Sequence, residues 1–222
     1  MITVVHPLES VWNTDSRILI LGTMPSPASR NAGFYYMHPQ NRFWKVLSAV
    51  FGEKLAFTNK GLRTDESYSK TDKAVTDARK TLLKTGGMHQ KTDKSPDLAA
   101  AIAERRDFLI HHHIALWDVL ASCDINGAAD SSIKNARPND FTEIFEKSEI
   151  EQVFCTGKTA FSLWQKVCAP HYESQFYLSC ECLPSTSPAN AVWSLEKLVE
   201  SYSVLRKAVE EKNFTTPTLP SS

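Results

Sequence analysis

The sequence has no excess of charge of either sign: 25 lysines and arginines are balanced by 25 aspartates and glutamates. Proteins that hold nucleic acids through many phosphate contacts are typically basic, so this balance counts against a tight nonspecific binder of that kind. Any phosphate contact must come from a local group of residues. Cysteines are also few, five in 222 residues, and no pair has CxxC spacing. We therefore expect reduced, buried thiols and no metal or other cofactor.

Long apolar runs are missing as well. No run approaches the length of about 18 residues that indicates a membrane-spanning helix. The first residues, from Met1 to His6, lack the basic and then apolar segments of a secretory signal. We expect an intracellular protein without a membrane partner, located in the cytoplasm of a bacterium or in the nucleus of a eukaryote.

The chain contains enough apolar residues for one core, since 42% of its residues are hydrophobic. We assign residues 1–212 to a single domain. Residues 57–94 are rich in Lys, Thr, Asp and Ser and have few large apolar side chains, which predicts a surface insertion. Residues 213–222 contain two prolines and several hydroxyls, which predicts a disordered tail.

Four short apolar segments predict buried parallel strands, each followed by turn residues and a helical pattern. The first three segments are Arg17–Gly22, Ile114–Leu120 and Gln152–Gly157. The fourth is Gln175–Leu178, or extends slightly beyond Leu178. Apolar residues at helical spacing predict helices over 43–51, from a cap at Ser95 through Leu109, over Thr159–Val167 and over Leu195–Val209. Strands that alternate with helices predict a layered α/β fold.

The first predicted strand ends in a loop of Gly, Pro and Ser residues. The loop consists of Gly22, Thr23, Met24, Pro25 and Ser26, and Ser29 follows shortly after. In an open α/β sheet, ligands bind where strands end and helices begin. Loop hydroxyls and backbone N–H groups commonly bind phosphate, and Gly22 lets the backbone approach a ligand closely. With almost no carboxylate, this loop favours binding of a phosphate and a flat heterocycle over acid–base chemistry by two carboxylates.

An aromatic segment, residues 34–45, follows this loop and leads into a predicted helix. Tyr36 is a candidate ring on which a base stacks, a contact worth about 1–3 kcal/mol. Asn41 stands where the helix opens, so its amide either caps the helix or orients a water molecule or a base edge. From the residues alone, His38 is interpreted as a hydrogen-bonded scaffold residue in preference to an acid or base.

A second polar loop follows the last predicted strand, at Leu183–Asn190. It holds Ser185, Thr186 and Ser187 between two prolines. The loop either caps the entry to the last helix or binds a backbone phosphate through its hydroxyls. Because the carboxyl ends of parallel strands meet at one edge of a sheet, we expect this loop to lie near the first.

Several other patterns do not support a site. Gly157-Lys-Thr resembles a phosphate-binding loop, but Gln152 stands where that motif requires its first glycine. His111-His-His113 is interpreted as a helix C-terminus, because neighbouring residues on a helix point in different directions. Asp118, at the end of the second predicted strand, is interpreted as a cap or loop anchor. The segment Asp130–Asn135 is interpreted as a further polar loop at the same edge.

Two long motifs carry a resemblance to a known family. HPxNRFWK spans His38–Lys45, and LPSTSPAN spans Leu183–Asn190. Shorter similarities occur at Gly22–Ser26, Ala115–Val119, Asp130-Ser131, Gly157-Lys158 and Ser194–Tyr202. Over roughly residues 15–52 and 110–210, the chain resembles the uracil-DNA glycosylase superfamily, and within it the deoxyinosine (hypoxanthine) DNA glycosylase branch.

The resemblance implies a three-layer α/β/α sandwich around a short, mainly parallel four-stranded sheet. It also implies a monomeric, metal-independent DNA repair enzyme that acts on DNA containing deaminated bases. Such an enzyme flips the base from DNA and hydrolyses its N-glycosidic bond. The implied substrate-binding residues are Gly22, Thr23, Met24, Pro25, Ser26, Tyr36 and His38. The implied DNA-binding residues are Ser29, Ser185, Thr186, Ser187 and Asn190.

One departure from the family pattern concerns the catalytic group. Many relatives carry an Asp or Asn that activates or positions water in the first loop, where this chain has Met24. In the hypoxanthine branch the Asn of HPxN takes over this role, which implies that Asn41 is the catalytic residue here. Because Met24 cannot accept a proton, the reaction must rely on a dissociative transition state and on donors aimed at the leaving base.

Other functions stay open at this point. A uracil-preferring glycosylase fits the same motifs. A catalytically silent module that binds damaged DNA also fits, since Met24 replaces an active residue. A third hypothesis is a hydrolase of free nucleosides. Such enzymes usually hold ribose and metal with aspartate clusters, which are not evident here.

Overall fold

The computed structural model describes residues 2–56, 98–126 and 129–210. The predicted insertion, the predicted tail and the predicted cap at Ser95 lie outside these residues. The described strands are β1 (Ile2–Val5), β2 (Ile18–Gly22), β3 (Ile114–Asp118), β4 (Leu120–Asn126), β5 (Ala129–Pro138), β6 (Gln152–Thr156) and β7 (Ser179–Leu183). The described α-helices are α1 (Pro27–Ala32), α2 (Phe43–Phe51), α3 (Leu98–His111), α4 (Thr142–Lys147), α5 (Lys158–Leu163), α6 (Ala169–Phe176) and α7 (Leu195–Glu210).

A four-stranded parallel sheet forms the centre, in the order β3-β2-β6-β7. Every residue of β2 is buried, as expected for an apolar strand covered on both faces. The register places Gly22 opposite Asp118 across β2 and β3, and Thr156 opposite Leu183 across β6 and β7. The carboxyl ends of all four strands therefore meet at one edge.

Alternate residues of β2 face two separate cores. Ile18 and Ile20 pack into a core with residues of α2, α3 and α7. Leu19 and Leu21 pack into a second core with residues of α4, α5 and α6. Because successive side chains of a strand point to opposite faces, helices on both faces produce three layers. The predicted α/β/α sandwich around a parallel four-stranded sheet is confirmed.

A second sheet was not predicted. Strands β1, β4 and β5 form an antiparallel sheet, and Val4, Cys123 and Ile125 join the second core. The predicted strand Ile114–Leu120 consequently ends at Asp118, and Leu120 begins β4. The segment Asp130–Asn135 is not a loop but part of β5. Irregular pairing between β4 and β5 breaks the two-residue alternation that indicates a strand.

The prediction of the last strand was also wrong. Gln175 and Phe176 are the last residues of α6, and β7 begins only at Ser179. Tyr177 ends the helix with a left-handed backbone, at φ 54°. Of the apolar residues that suggested a strand, Phe176 belongs to the helix and Leu178 lies between the helix and β7. Both pack in the second core. Edge strand β7 is largely exposed, so it carries no apolar run.

Most predicted helices agree with the structure. Helices α2, α3 and α7 cover the predicted segments within the described residues. The predicted helix Thr159–Val167 is the middle of a longer unit, in which a π-helical turn at Trp164–Cys168 joins α5 to α6. Among the helices in the described ranges, none is long and apolar enough to cross a lipid bilayer.

Candidate active site

A cavity of about 160 Å³ opens at the carboxyl edge of the parallel sheet. An engineered apolar cavity of about 150 Å³ in another protein admits benzene, so this volume suits a flat ring. Both polar loops line it, together with part of the aromatic segment. The predicted residues on its wall are Gly22, Thr23, Met24, Pro25, Ser26, Ser29, Tyr36, Asn41, Ser185, Thr186 and Ser187. The remaining lining residues are Tyr35, Asp118, Ile125 and Thr156.

The first loop is held by hydrogen bonds among its own hydroxyls. Ser26 caps α1, because its Oγ accepts from the Ser29 backbone N at 3.2 Å. The Oγ of Ser29, which is 2% exposed, accepts from Ser26 Oγ at 3.1 Å and from Met37 N at 3.2 Å. Ser29 therefore ties the loop to the aromatic segment, and its predicted contact with DNA stays a prediction.

Tyr36 forms a fixed aromatic wall. Its ring stacks on Phe43 with centroids 3.8 Å apart and planes 15° apart. Thr156 Oγ1 donates to the Leu21 carbonyl at 3.2 Å and accepts from the Tyr36 hydroxyl at 2.8 Å. Burial raises the pKa of Tyr36, and the nearby Asp118 charge raises it further, so the phenol stays neutral. The backbone at Tyr36 is left-handed, with φ 54°, which is uncommon for a residue with a large side chain.

Asn41 connects the second loop to the N-terminus of α2. Its Oδ1 accepts from the Phe43 backbone N at 2.9 Å and from Thr186 Oγ1 at 3.0 Å. These two donors fix the orientation of the amide and occupy both lone pairs of its oxygen. The Nδ2 group has no hydrogen-bond partner among the described residues and is the part of the amide left for a ligand. Asn41 is thus a cap that can also donate into the cavity.

Arg42 was not predicted, yet it holds the second loop in place. Its backbone N and Nε donate to the Thr186 carbonyl, at 3.2 and 3.3 Å. Its Nη2 donates to the carbonyls of Ser187 and Asn190, at 2.8 and 3.0 Å, and its Nη1 donates to that of Trp193. Arg42 lies within the HPxNRFWK motif, but no residue pattern identifies backbone carbonyls about 150 residues away as its partners.

Replacing Arg42 with lysine is expected to loosen the second loop. An ammonium group cannot reproduce the planar fork that reaches several carbonyls at once. We expect the free energy of unfolding to fall by about 2 kcal/mol, the scale of losing a charge-assisted hydrogen bond. Chemical denaturation measures this loss, and Arg206→Lys on the exposed face of α7 is the matched control. Equal stability of Arg42→Lys and the control would contradict the role of Arg42 as a clamp.

Two predicted site residues do not line the cavity. His38 turns its Nδ1 toward its own turn, where it accepts from Gln40 N at 3.2 Å. Asn190 donates from Nδ2 to the Ser185 carbonyl at 2.9 Å, and its backbone N donates to the Ser187 carbonyl at 3.0 Å. These contacts stabilise the local turns. Contacts of His38 with substrate and of Asn190 with DNA stay predictions without support from the cavity wall.

A buried carboxylate stands on the cavity wall, which the sequence interpretation did not expect. Asp118 is 4% exposed, and its Oδ2 lies 2.9 Å from Nε2 of His6. Desolvation by burial raises the pKa of Asp118, and the hydrogen bond from His6 opposes this shift. Asp118 does anchor the segment after β1, as predicted for a loop anchor. It also gives the cavity a negative group.

A separate cluster could hold a metal ion away from the cavity. Glu53, His111 and His112 each offer a ligand atom, and these atoms lie within 4.8 Å of one another. The helix ends at His111, as predicted, but His111 and His112 do not point apart as expected, because His112 lies beyond the helix end. None of the three residues lines the cavity. None of the five cysteines, all within the described residues, forms a disulfide, and Cys182 on the edge strand is exposed, contrary to the expectation of buried thiols.

The fold and the cavity define an α/β/α protein that binds its ligand between two strand-end loops. The model of the uracil DNA glycosylase superfamily matches residues 10–211. The chain belongs to this superfamily, and it is a DNA glycosylase, a hydrolase of N-glycosidic bonds.

Similar proteins come from two archaea. A hypoxanthine DNA glycosylase of Methanosarcina acetivorans is 27% identical over 198 residues, which cover 89% of this chain and 95% of that protein. A hypoxanthine DNA glycosylase of Methanosarcina barkeri is 24% identical over 170 residues, which cover 76% of this chain and 81% of that protein. A solution NMR structure from Methanosarcina acetivorans, provisionally named a uracil DNA glycosylase, superposes with a TM-score of 0.62 at 22% identity. It covers 95% of this chain and 100% of its own, which supports the fold.

Proposed function

We propose that this glycosylase removes hypoxanthine from deoxyinosine in DNA, as a monofunctional and metal-independent enzyme that acts as a monomer. The observation that carries the proposal is the cavity between the two loops, with Tyr36 and Asn41 on its wall. The base specificity is suggested by the two Methanosarcina relatives that are named hypoxanthine DNA glycosylases. The product is DNA with an abasic site.

The cavity offers hypoxanthine a stacking surface and a donor. In this proposal the purine ring lies against Tyr36, whose other neighbour in the stack is Phe43. The Nδ2 group of Asn41 donates to an acceptor of the base, for which O6 and N7 of hypoxanthine are suitable. A donor fixed before the reaction stabilises the negative charge that develops on the leaving base. Asn41 then acts on the leaving base through Nδ2, because its Oδ1 already accepts two hydrogen bonds.

The same residues account for the other parts of the proposal. No lysine is among the described residues on the cavity wall, so no amine is placed to form a Schiff base with the sugar. That wall also has no histidine or cysteine in the described ranges, and Asp118 is its single carboxylate. Such a set is poor for holding a catalytic metal. Hydroxyls of Ser26, Ser185 and Ser187 are the proposed contacts to the DNA backbone.

Selectivity for a deaminated base follows partly from the cost of extrusion. A base that pairs weakly in the duplex costs less to flip than a normally paired base. Hypoxanthine is such a base, and so is a mismatched uracil. We propose that uracil and xanthine are secondary substrates, and that the donor set of the cavity ranks them below hypoxanthine.

The proposal is tested with a labelled duplex that contains one deoxyinosine. Treatment with the enzyme followed by alkali is expected to break the strand at that position, because alkali cleaves abasic sites. Without alkali the strand stays intact, as a monofunctional enzyme requires. Chelator-treated protein is expected to be equally active. Strand breakage no greater than that caused by the Asn41→Ala variant would contradict the proposal. Breakage without alkali would contradict it as well.

A pair of substitutions separates stacking from scaffolding at Tyr36. Tyr36→Ala removes the ring and is expected to lower the single-turnover rate on deoxyinosine DNA by about 10- to 100-fold, the scale of one base-stacking contact. Tyr36→Phe keeps the ring and loses the hydrogen bond to Thr156, so its rate should stay close to that of the wild type. Thermal melting reports the stability of both variants. A Tyr36→Phe enzyme as slow as Tyr36→Ala would show that the loss comes from the hydroxyl and would contradict stacking on the ring.

A further inference from the structure

The position of Asp118 differs from that of an ordinary surface carboxylate. It ends β3, lies directly opposite Gly22 in the sheet and lines the cavity. A Cβ atom on residue 22 would collide with Asp118 Oδ1 and would come within 3.0 Å of the Tyr36 hydroxyl. The carboxylate therefore occupies the space that the missing side chain of Gly22 leaves open, next to the aromatic wall.

The hydrogen bonds around His6 identify Asp118 as the acceptor of the pair. His6 Nδ1 accepts from the backbone N of Leu8 at 3.2 Å, which places the ring proton on Nε2. The protonated Nε2 donates to Asp118 Oδ2 at 2.9 Å. Oδ1 accepts no hydrogen bond from residues 2–56, 98–126 or 129–210. One oxygen of the carboxylate is thus fixed, and the other is available at the cavity.

The other candidates for a proton acceptor at this site are unsuitable. Met24 has no basic group, and both lone pairs of Asn41 Oδ1 are occupied by Phe43 N and Thr186 Oγ1. The serine and threonine hydroxyls of the loops are very weak bases at neutral pH. Among the described lining residues, a carboxylate is available only at Asp118. Burial strengthens it as a base, because desolvation disfavours its charged form.

We propose that Asp118 is a second catalytic residue, whose Oδ1 stabilises the sugar cation and accepts the proton of the attacking water. This inference rests on the proposed glycosylase function. The C1′–N9 bond breaks, and its electron pair leaves with hypoxanthine. The oxygen of water forms a bond to C1′, and one water proton moves to Asp118 Oδ1. The proton returns to solvent, and the hypoxanthine anion takes a proton from solvent. His6 is a positioning residue that holds Oδ2.

The first test measures the chemical step. Asp118→Asn keeps the size of the side chain and an acceptor for His6, but it loses the charge. We expect the single-turnover rate on deoxyinosine DNA to fall by about 100-fold or more, the lower end of general-base contributions. Asp107→Asn, an exposed carboxylate on α3, is the matched control and should keep the wild-type rate. Thermal melting of both variants checks that the fold is intact.

The second test measures binding without chemistry. A duplex with a pyrrolidine in place of the sugar is cationic, whereas the tetrahydrofuran analogue is neutral. We expect Asp118→Asn to bind the cationic duplex about 10-fold more weakly, because a fixed charge near a cation contributes electrostatic energy at a partly desolvated site. Affinity for the neutral duplex should change by less than about twofold, because that analogue has no charge for Asp118 to stabilise. A merely structural aspartate would weaken both complexes equally.

The pH dependence gives a third readout. The ionisable groups that face Asp118 are His6, from the segment after β1, and Tyr35 and Tyr36, from the segment after α1. Protonated Asp118 cannot accept a proton, so the wild-type rate should fall as the pH drops through the raised pKa of this carboxyl. The rate of Asp118→Asn should lack that step. Both profiles are measured under single-turnover conditions.

The outcomes separate this inference from the proposed function. A rate of Asp118→Asn within about threefold of the wild type would overturn the role of Asp118, as general bases contribute far more. Equal loss of affinity for both analogues would overturn it as well. If the wild type releases no base from any substrate, the proposed function fails. The two analogue duplexes still decide whether Asp118 favours a cation at the sugar position.

Discussion

Gly22→Ala is expected to reduce base release by at least about 100-fold while the protein still folds, since small displacements in an active site can cost this much. The new methyl group would collide with Asp118 Oδ1 and crowd the Tyr36 hydroxyl. The backbone of Gly22 is not left-handed, so alanine is compatible with its conformation. The expected defect therefore lies in the cavity and not in the backbone. Single-turnover release of hypoxanthine and thermal melting measure the two effects separately.

Gly33→Ala is the control with the opposite expected behaviour. Gly33 has φ 72°, and a Cβ atom there would meet nothing within 4 Å. Alanine in this conformation should cost about 1–2 kcal/mol of stability. Because Gly33 does not line the cavity, its variant should retain the rate of base release at temperatures where it is folded. A Gly22→Ala enzyme with normal turnover would contradict the close packing of Gly22, Asp118 and Tyr36 as a requirement for activity.

Two substitutions of Asn41 are expected to have equal effects on rate and different effects on stability. Asn41→Ala removes the helix cap, the bond to Thr186 and the donor at the cavity. Asn41→Asp keeps an oxygen for the cap and for Thr186, but it replaces the donor with an acceptor. We expect both variants to release hypoxanthine about 100-fold more slowly, as for loss of a preorganised donor. Only Asn41→Ala should lose about 1 kcal/mol of stability through the missing cap.

The comparison between these two variants decides what Asn41 does. A normal rate for Asn41→Asp would show that the residue acts through its oxygen, as a cap and loop connector. A loss in both variants supports donation from Nδ2 to the base. Denaturant unfolding and single-turnover release on the same samples provide both quantities.

The convergence of the two loops could be predicted from the sequence because it follows from parallel strand pairing. Gly22 and Leu183 end strands of the same sheet, so the segments after them emerge at one edge. The apolar stripes of α2 and α7 were equally clear, since both helices pack their stripes into the first core. These features depend on local patterns and on general rules of sheet construction.

The features that were missed depend on contacts between distant segments. Arg42 binds backbone carbonyls, which leave no residue pattern to search for. The strand β7 is exposed at the sheet edge, and β5 pairs irregularly with β4, so neither shows a clear apolar pattern. The sequence did contain a signal for Asp118. This residue ends one predicted buried strand, and Gly22 ends another. Only the register across β2 and β3 shows that the two residues are opposite each other.

The most direct test of the central claim is detection of the released base. A duplex with one deoxyinosine and, in parallel, free deoxyinosine nucleoside are incubated with excess enzyme, and hypoxanthine is quantified by liquid chromatography and mass spectrometry. The account predicts one equivalent of free hypoxanthine from the duplex and none from the nucleoside. Binding of the duplex without release, or release from the nucleoside alone, would contradict the assignment of the cavity as the site of base excision from DNA.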